Sequence, residues 1–207
     1  MIFQNEIEKY LTEVTPDRPE VLREMEAYAA EHDFPIVGPL VGRFLYQAAR
    51  MVEARRVLEL GSGFGYSAYW FALAMGDRGK ITMIDSSEEN RDRALAYFER
   101  AGLQAKFKFK VGDAFEVLKE VDKEFDIVFN DIDKEQYPQT IDPAAFRLRK
   151  GGLFITDNLL WSGRVCEEPK DAATQGVVEF TRRLYSDSRF FTTILPLRDG
   201  VALAVRQ

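Results

Sequence analysis

Val57-Leu58-Glu59-Leu60-Gly61-Ser62-Gly63-Phe64-Gly65-Tyr66-Ser67 decides how the rest of the chain is read. A short apolar run enters a loop with glycine at every second position, and a helical pattern starts at Tyr66. Glycine lets the backbone turn tightly there and lets a ligand come close to the main chain. Strand-to-helix turns also carry glycine for geometry alone, but a strand before the loop and a helix after it favour a nucleotide-like ligand.

The pattern continues outward from that loop. Short apolar runs at 56–60, 80–85, 106–111, 125–131 and 152–157 read as strands, and 66–75, 88–101 and 114–121 read as helices. Such alternation implies right-handed crossovers and a parallel sheet covered on both faces. Near the end, runs at 191–197 and 201–206 flank Arg198-Asp199-Gly200, a hairpin signal that predicts an antiparallel strand at the sheet edge. Upstream, Ile2, Phe3, Ile7, Tyr10, Leu11 and Val14 fall at helical spacing. A second helix carries Val21, Leu22, Met25 and Tyr28, and a third runs over about 39–53. The expected fold is α/β and Rossmann-like: one domain over 1–207, with extra N-terminal helices in 1–54 and the core in 55–207.

Composition narrows the chemistry. The chain has 207 residues, with one His, one Cys and a formal net charge of −6. A single Cys166 excludes an intrachain disulfide and points to a reducing, cytoplasmic setting. His32 and Cys166 alone cannot supply a structural zinc site. The acidic balance argues against broad binding to nucleic acid, although Arg43, Arg50, Arg55 and Arg56 leave room for a local basic patch. No stretch reads as a bilayer span or a signal segment.

The glycine spacing is not that of a dinucleotide fingerprint, which wants glycines at the first, third and sixth positions. Counted from Gly61, the sixth residue is Tyr66 and the extra glycine is the fifth, Gly65. Glu59, directly before the loop, is a poor neighbour for a pyrophosphate. It suits a cofactor with a cationic end, such as the ammonium and sulfonium of S-adenosylmethionine; capping of the nearby helix is the alternative. Asp85 lies about 20 residues beyond Gly65, where ribose hydroxyls are held in such folds, and it also stands at a helix start. Asp113 and Ala114 close the third strand, where Asp113 either meets an adenine edge or caps the next helix.

Two strand ends carry the oxygen chemistry. Asn130-Asp131-Ile132-Asp133-Lys134 ends one strand and Thr156-Asp157-Asn158 the next. Neighbouring strands lie roughly 4.8 Å apart, so Asp131, Asp157 and Asn158 can converge. Two carboxylates and an amide oxygen are hard ligands for Mg²⁺, with Ca²⁺ or Mn²⁺ as alternatives. Asp133 is two residues too far along. Lys134 beside a divalent cation would have its ammonium disfavoured, which makes it the candidate general base. Trp161 either walls a flat acceptor or joins the core. Arg164 either meets an acidic acceptor or stays at the surface.

Together these motifs resemble the cation-dependent O-methyltransferase family of the catechol and caffeoyl-CoA type, across most of the chain. The resemblance implies a seven-stranded sheet with a reversed strand, and direct methyl transfer from S-adenosylmethionine to an oxygen of a small hydroxylated aromatic acceptor. By position it assigns Asp131, Asp157 and Asn158 to the metal and Lys134 to the base. Glu59, Gly61, Ser62 and Ser67 fall to the cofactor's amino-acid end, Asp85 to the ribose, and Asp113 and Ala114 to the adenine. Val37 touches the cofactor from a covering segment, and Asp131 serves both cofactor and metal. The family implies a homodimer. Asn130 departs from it, standing where an apolar residue usually precedes the metal Asp. Pro16 to Ala29 is also reminiscent of members that methylate the wobble 5-hydroxyuridine of tRNA. A nicotinamide-dependent oxidoreductase is the reading from another class, and the glycine spacing counts against it.

Overall fold

The computed structural model describes residues 2–103, 106–122, 124–169 and 171–207, with the side chains of residues 2–5 (Ile2 and Phe3 among them) outside the description. Three helices come first: α1 (Ile2–Val14), α2 (Glu20–Glu31) and α3 (Gly38–Met51). The alternating part follows as β1 (Arg56–Leu60), α4 (Tyr66–Met75), β2 (Lys80–Asp85), α5 (Glu88–Arg100), β3 (Phe107–Val111), α6 (Ala114–Leu118) and β4 (Phe125–Asn130). It continues with α7 (Tyr137–Arg147), β5 (Leu148–Thr156), α8 (Ala172–Ser186), β6 (Phe190–Leu195) and β7 (Val201–Arg206).

Local chemistry sets the helix starts. Ser87 caps α5 by accepting the Asn90 N–H at 3.2 Å, with Glu88 and Glu89 in the first turn, where the helix dipole favours them. Asp171 caps α8 through the Thr174 N–H at 2.8 Å. The strands form one seven-stranded sheet in the order β3-β2-β1-β4-β5-β7-β6, with β7 alone antiparallel to its neighbours. The reversed strand is therefore not at the edge: it is inserted between β5 and β6, and β6 is the edge. Only pairing partners fix that order, and a hairpin signal does not carry them.

Each sheet face buries its own apolar layer. Val57, Ile127 and Phe129 face α2–α5, with Leu22, Met25, Leu45 and Phe71. Leu58, Val128 and Phe154 face α6–α8, with Ile141 and Phe180. The register places the site: Asn130 pairs with Leu60 on one side and with Thr156 on the other. Asp131 and Asp157 are thus the first residues beyond two adjacent strands, at the same height on the carboxyl edge. Open α/β sheets bind their ligands there.

Candidate active site

A cleft of about 480 Å³ opens along that edge. It is lined by Val37, Gly61, Ser62, Ser67, Asp85, Asp113, Ala114, Asp131, Lys134, Asp157, Asn158 and Trp161, so residues far apart in sequence meet in one place. Gly61 adopts φ +77°, and a Cβ there would strike the Asp131 carbonyl. The glycine loop can lie against the acidic loop only because Gly61 has no side chain.

Glu59 lies beneath the loop and is fully buried. Its strand neighbours are Met83 and Phe129, and neither carboxylate oxygen has a hydrogen-bond partner. Burial pushes its pKa up from 4.5 to about 8; the nearby Ser67 and Ser62 hydroxyls oppose the rise without closing a full hydrogen bond, and Asp131 and Asp85 add to it. The helix-capping alternative is not realised, since α4 has Gly65 at its N-cap position and no side-chain cap. A buried carboxylate without a partner can receive a cationic group.

Asp85 works as a clamp. Its Oδ2 accepts the Gly63 N–H at 2.8 Å, and its Oδ1 accepts from the Ser87 N–H at 2.9 Å and Asn90 Nδ2 at 3.0 Å. Asp113 caps α6 through the N–H groups of Phe115 and Glu116, both at 3.0 Å. The capping alternative is realised at Asp113, and both acids also line the cleft.

At the strand ends Lys134 Nζ donates to Asp131 Oδ1 at 2.7 Å and to the Ile132 carbonyl at 3.3 Å. Asp157 is buried, and its Oδ1 has no partner. Burial raises its pKa to about 7, with Asp131 adding to the rise and the Asn158 N–H, Lys134 and Arg198 opposing it. Burial also raises Asp131, against the pull of Lys134. Lys134 is thus hydrogen-bonded to Asp131, while Asp157 feels the charges of both Lys134 and Arg198. Asn158 sits at φ +62°, a left-handed conformation that Asn tolerates better than most residues.

Tyr137, three positions after Lys134, also belongs to the site. Fully buried, it places its hydroxyl 3.1 Å from the Asp157 carbonyl and 3.4 Å from Asp131 Oδ1, joining the two loops. Trp161 is half-buried at the cleft wall, and its indole N–H donates to Thr174 Oγ1 at 3.2 Å. Trp161 thus packs against the core with one side and lines the cleft with the other. Arg164 is not brought to the cleft: it pairs with Asp171 and lies over the Trp161 ring, 5.2 Å from its centroid. The local reason is sequence proximity, since Asp171 caps α8 and returns the loop to Arg164.

The O-methyltransferase family profile matches residues 12–207. The chain belongs to that family. Similar curated proteins include the caffeoyl-CoA O-methyltransferase of Petroselinum crispum, 33% identical over 94% of this chain and 87% of that protein. Caffeoyl-CoA O-methyltransferase 2 of Populus trichocarpa is 32% identical over 94% of this chain and 85% of its own. Among solved structures, the O-methyltransferase from Bacillus cereus, in complex with SAH, aligns with a TM-score of 0.88 and 28% identity over 98% and 97% of the two chains. TomG from Streptomyces achromogenes, in complex with SAM, aligns with a TM-score of 0.89 and 28% identity over 98% and 96%. The activity is that of an S-adenosylmethionine-dependent O-methyltransferase, and the nicotinamide reading falls away. Within this O-methyltransferase, Asn130 is wholly buried with neither side-chain polar atom partnered, and Thr156, its register partner, is in the same condition.

Proposed function

We propose that this O-methyltransferase uses a divalent cation, Mg²⁺ in the first instance, and methylates one hydroxyl of a vicinal, catechol-like diol. The observation that carries this reading is the unpartnered, buried Oδ1 of Asp157 beside Asp131. Two recessed carboxylates and the Asn158 amide are a hard-oxygen donor set, and they fit such an ion. Asp131, Asp157 and Asn158 would hold the ion, which when bound supplies Lewis-acid stabilisation of an acceptor oxyanion.

The chain's own residues supply the remaining roles. Glu59 meets the cationic amino-acid end of the cofactor, with Gly61, Ser62 and Ser67 around it and Val37 covering it. Asp85 takes the ribose hydroxyls, and Asp113 and Ala114 edge the adenine. Trp161 walls the flat acceptor. Methyl transfer forms an O–C bond and breaks a C–S bond, with sulfur keeping the electron pair, and the acceptor's hydroxyl proton must leave. Lys134 is the side chain in position to take that proton at Nζ, entering as the neutral amine, since the ammonium held by Asp131 has no lone pair. Alignment within the cleft supplies much of the acceleration.

The whole chain acts as one domain in this reading. Ile7, Tyr10, Leu11 and Val14, exposed along one face of α1, support a homodimer. An exposed free Cys166 suits a cytoplasmic setting, and no helix among the described residues is long and apolar enough to cross a membrane.

A labelled-methyl assay over catechols, a caffeoyl-type ester and unmodified tRNA, with EDTA and with Mg²⁺ restored, tests the proposal. Label in a catechol product only when metal is present is the expected outcome. Metal-independent label, or label in tRNA alone, would overturn it.

A further inference from the structure

Beside the cofactor cleft lies a second, larger cavity of about 1290 Å³. The two share Phe34, Pro35, Ile36, Asp157 and Asn158 in their linings, so the larger one opens at the acidic pair. Pockets for small ligands run to about 1,000 Å³, so there is room here for a tail beyond the diol. If Asp157 and Asn158 hold the reacting oxygens' ion as proposed above, this cavity takes the rest of the acceptor. The charge on its wall then selects among acceptors that carry the same ring.

The wall is acidic. Its described residues include the carboxylates of Glu8, Glu26, Asp33, Asp157 and Asp199 and only two cations, Arg18 and Arg198. Both cations are engaged. Arg18 Nε donates to Glu26 at 2.6 Å, and the Tyr66 hydroxyl donates to the same carboxylate at 2.6 Å. Arg198 donates to the Ile36 carbonyl at 3.0 Å and also to the Val37 carbonyl, and its Nε lies 3.3 Å from Glu8. These two pairs cancel. A divalent ion would balance Asp131 and Asp157, which leaves Asp33 and Asp199 with no ion-pair partner among the described residues. On the cofactor side, Lys134 stands among Asp131, Asp133 and Glu135.

We infer that the acceptor is a vicinal diol with a cationic or neutral tail, and that coenzyme A thioesters of the same ring are poor substrates. The inference rests on the diol reading of the site but departs from the acceptor named for the caffeoyl-CoA relatives. A thioester of that kind brings several phosphate charges to a wall with no uncommitted cation among the described residues. An ammonium tail meets Asp33 and Asp199 instead, and like-charge juxtaposition is an effective means of excluding a wrong partner.

The test compares kcat/KM, with S-adenosylmethionine and Mg²⁺, for dopamine, a neutral caffeoyl ester and caffeoyl-CoA. The expected order is amine, neutral ester, thioester, with at least a tenfold span from first to last at low salt. The span should shrink at about 0.5 M salt, where the Debye length falls to a few ångströms. It should also narrow about tenfold in the Asp33→Asn, Asp199→Asn double variant. Calorimetric titration of free coenzyme A into the full chain should give no binding. A faster thioester, a span indifferent to both salt and the double variant, or tight coenzyme A binding would overturn the inference while leaving the diol reading intact. Turnover of none of the three catechols would remove the diol reading, and this inference with it.

Discussion

Replacing Glu59 with Gln separates stability from binding at one residue. The folded protein lifts the Glu59 pKa from 4.5 to about 8, chiefly by burial. Between those values the folded chain keeps a proton that the unfolded chain has released. Stability must therefore fall as pH rises through this window, at roughly 1.4 kcal/mol per pH unit. Glu59→Gln has no such proton. Over two pH units, from about 5.5 to about 7.5, the wild-type protein should lose roughly 3 kcal/mol relative to the variant. The buried amide carries its own desolvation cost, but that cost does not change with pH, so the slope isolates the carboxylate. Urea denaturation of the protein without cofactor, at the two pH values, measures it. Binding should move the other way: without the negative charge, affinity for S-adenosylmethionine should fall about 10- to 100-fold by calorimetry, the range expected for a charge-assisted hydrogen bond. Parallel pH profiles for the two proteins would refute the burial argument. Unchanged cofactor affinity would refute the placement of the cofactor's cationic end at Glu59.

Three other substitutions probe the neighbouring positions. Lys134→Ala should lower kcat by about 10²- to 10⁴-fold, the usual contribution of a general base, while Mn²⁺ binding followed by electron paramagnetic resonance persists. Tyr137→Phe leaves the buried Asp157 carbonyl without its 3.1 Å donor and should cost about 1–3 kcal/mol in chemical denaturation. Asn130→Leu, close in shape, removes two buried polar atoms that have no partner and should stabilise the chain by about 1–3 kcal/mol, read as a rise in Tm.

What was legible in the sequence was whatever short-range chemistry encodes. The bounds of β1, β2 and α4 follow from apolar runs punctuated by glycine, and they match the structure to the residue. The acidic loops were visible because strands of a parallel sheet end on the same side, so residues 131 and 157 had to share an edge. Features that depend on distant partners were not visible. The insertion of β7 between β5 and β6 is decided by which edge accepts it. Helix α7 contains Pro138 and Pro143, which in a bare sequence read as breakers; Pro138 sits in the first turn, where no N–H is needed, while Pro143 is carried inside the helix. β5 begins at Leu148 rather than at Gly152, across a register shift opposite residues 125–127 that spacing alone does not announce. The bridging role of Tyr137 was not visible, because an aromatic residue three positions after Lys134 reads as core until its hydroxyl is seen to join two loops.

The central claim is that Asp131, Asp157 and Asn158 hold a divalent ion on which methyl transfer depends. It is tested most directly by stripping the enzyme with EDTA and titrating Mg²⁺ back while following bound metal and labelled methyl transfer to a catechol in the same samples. Occupancy and turnover should rise together to one ion per chain, and Asp157→Ala should lose both. Full turnover by the stripped enzyme, or metal binding undiminished in Asp157→Ala, would contradict the account.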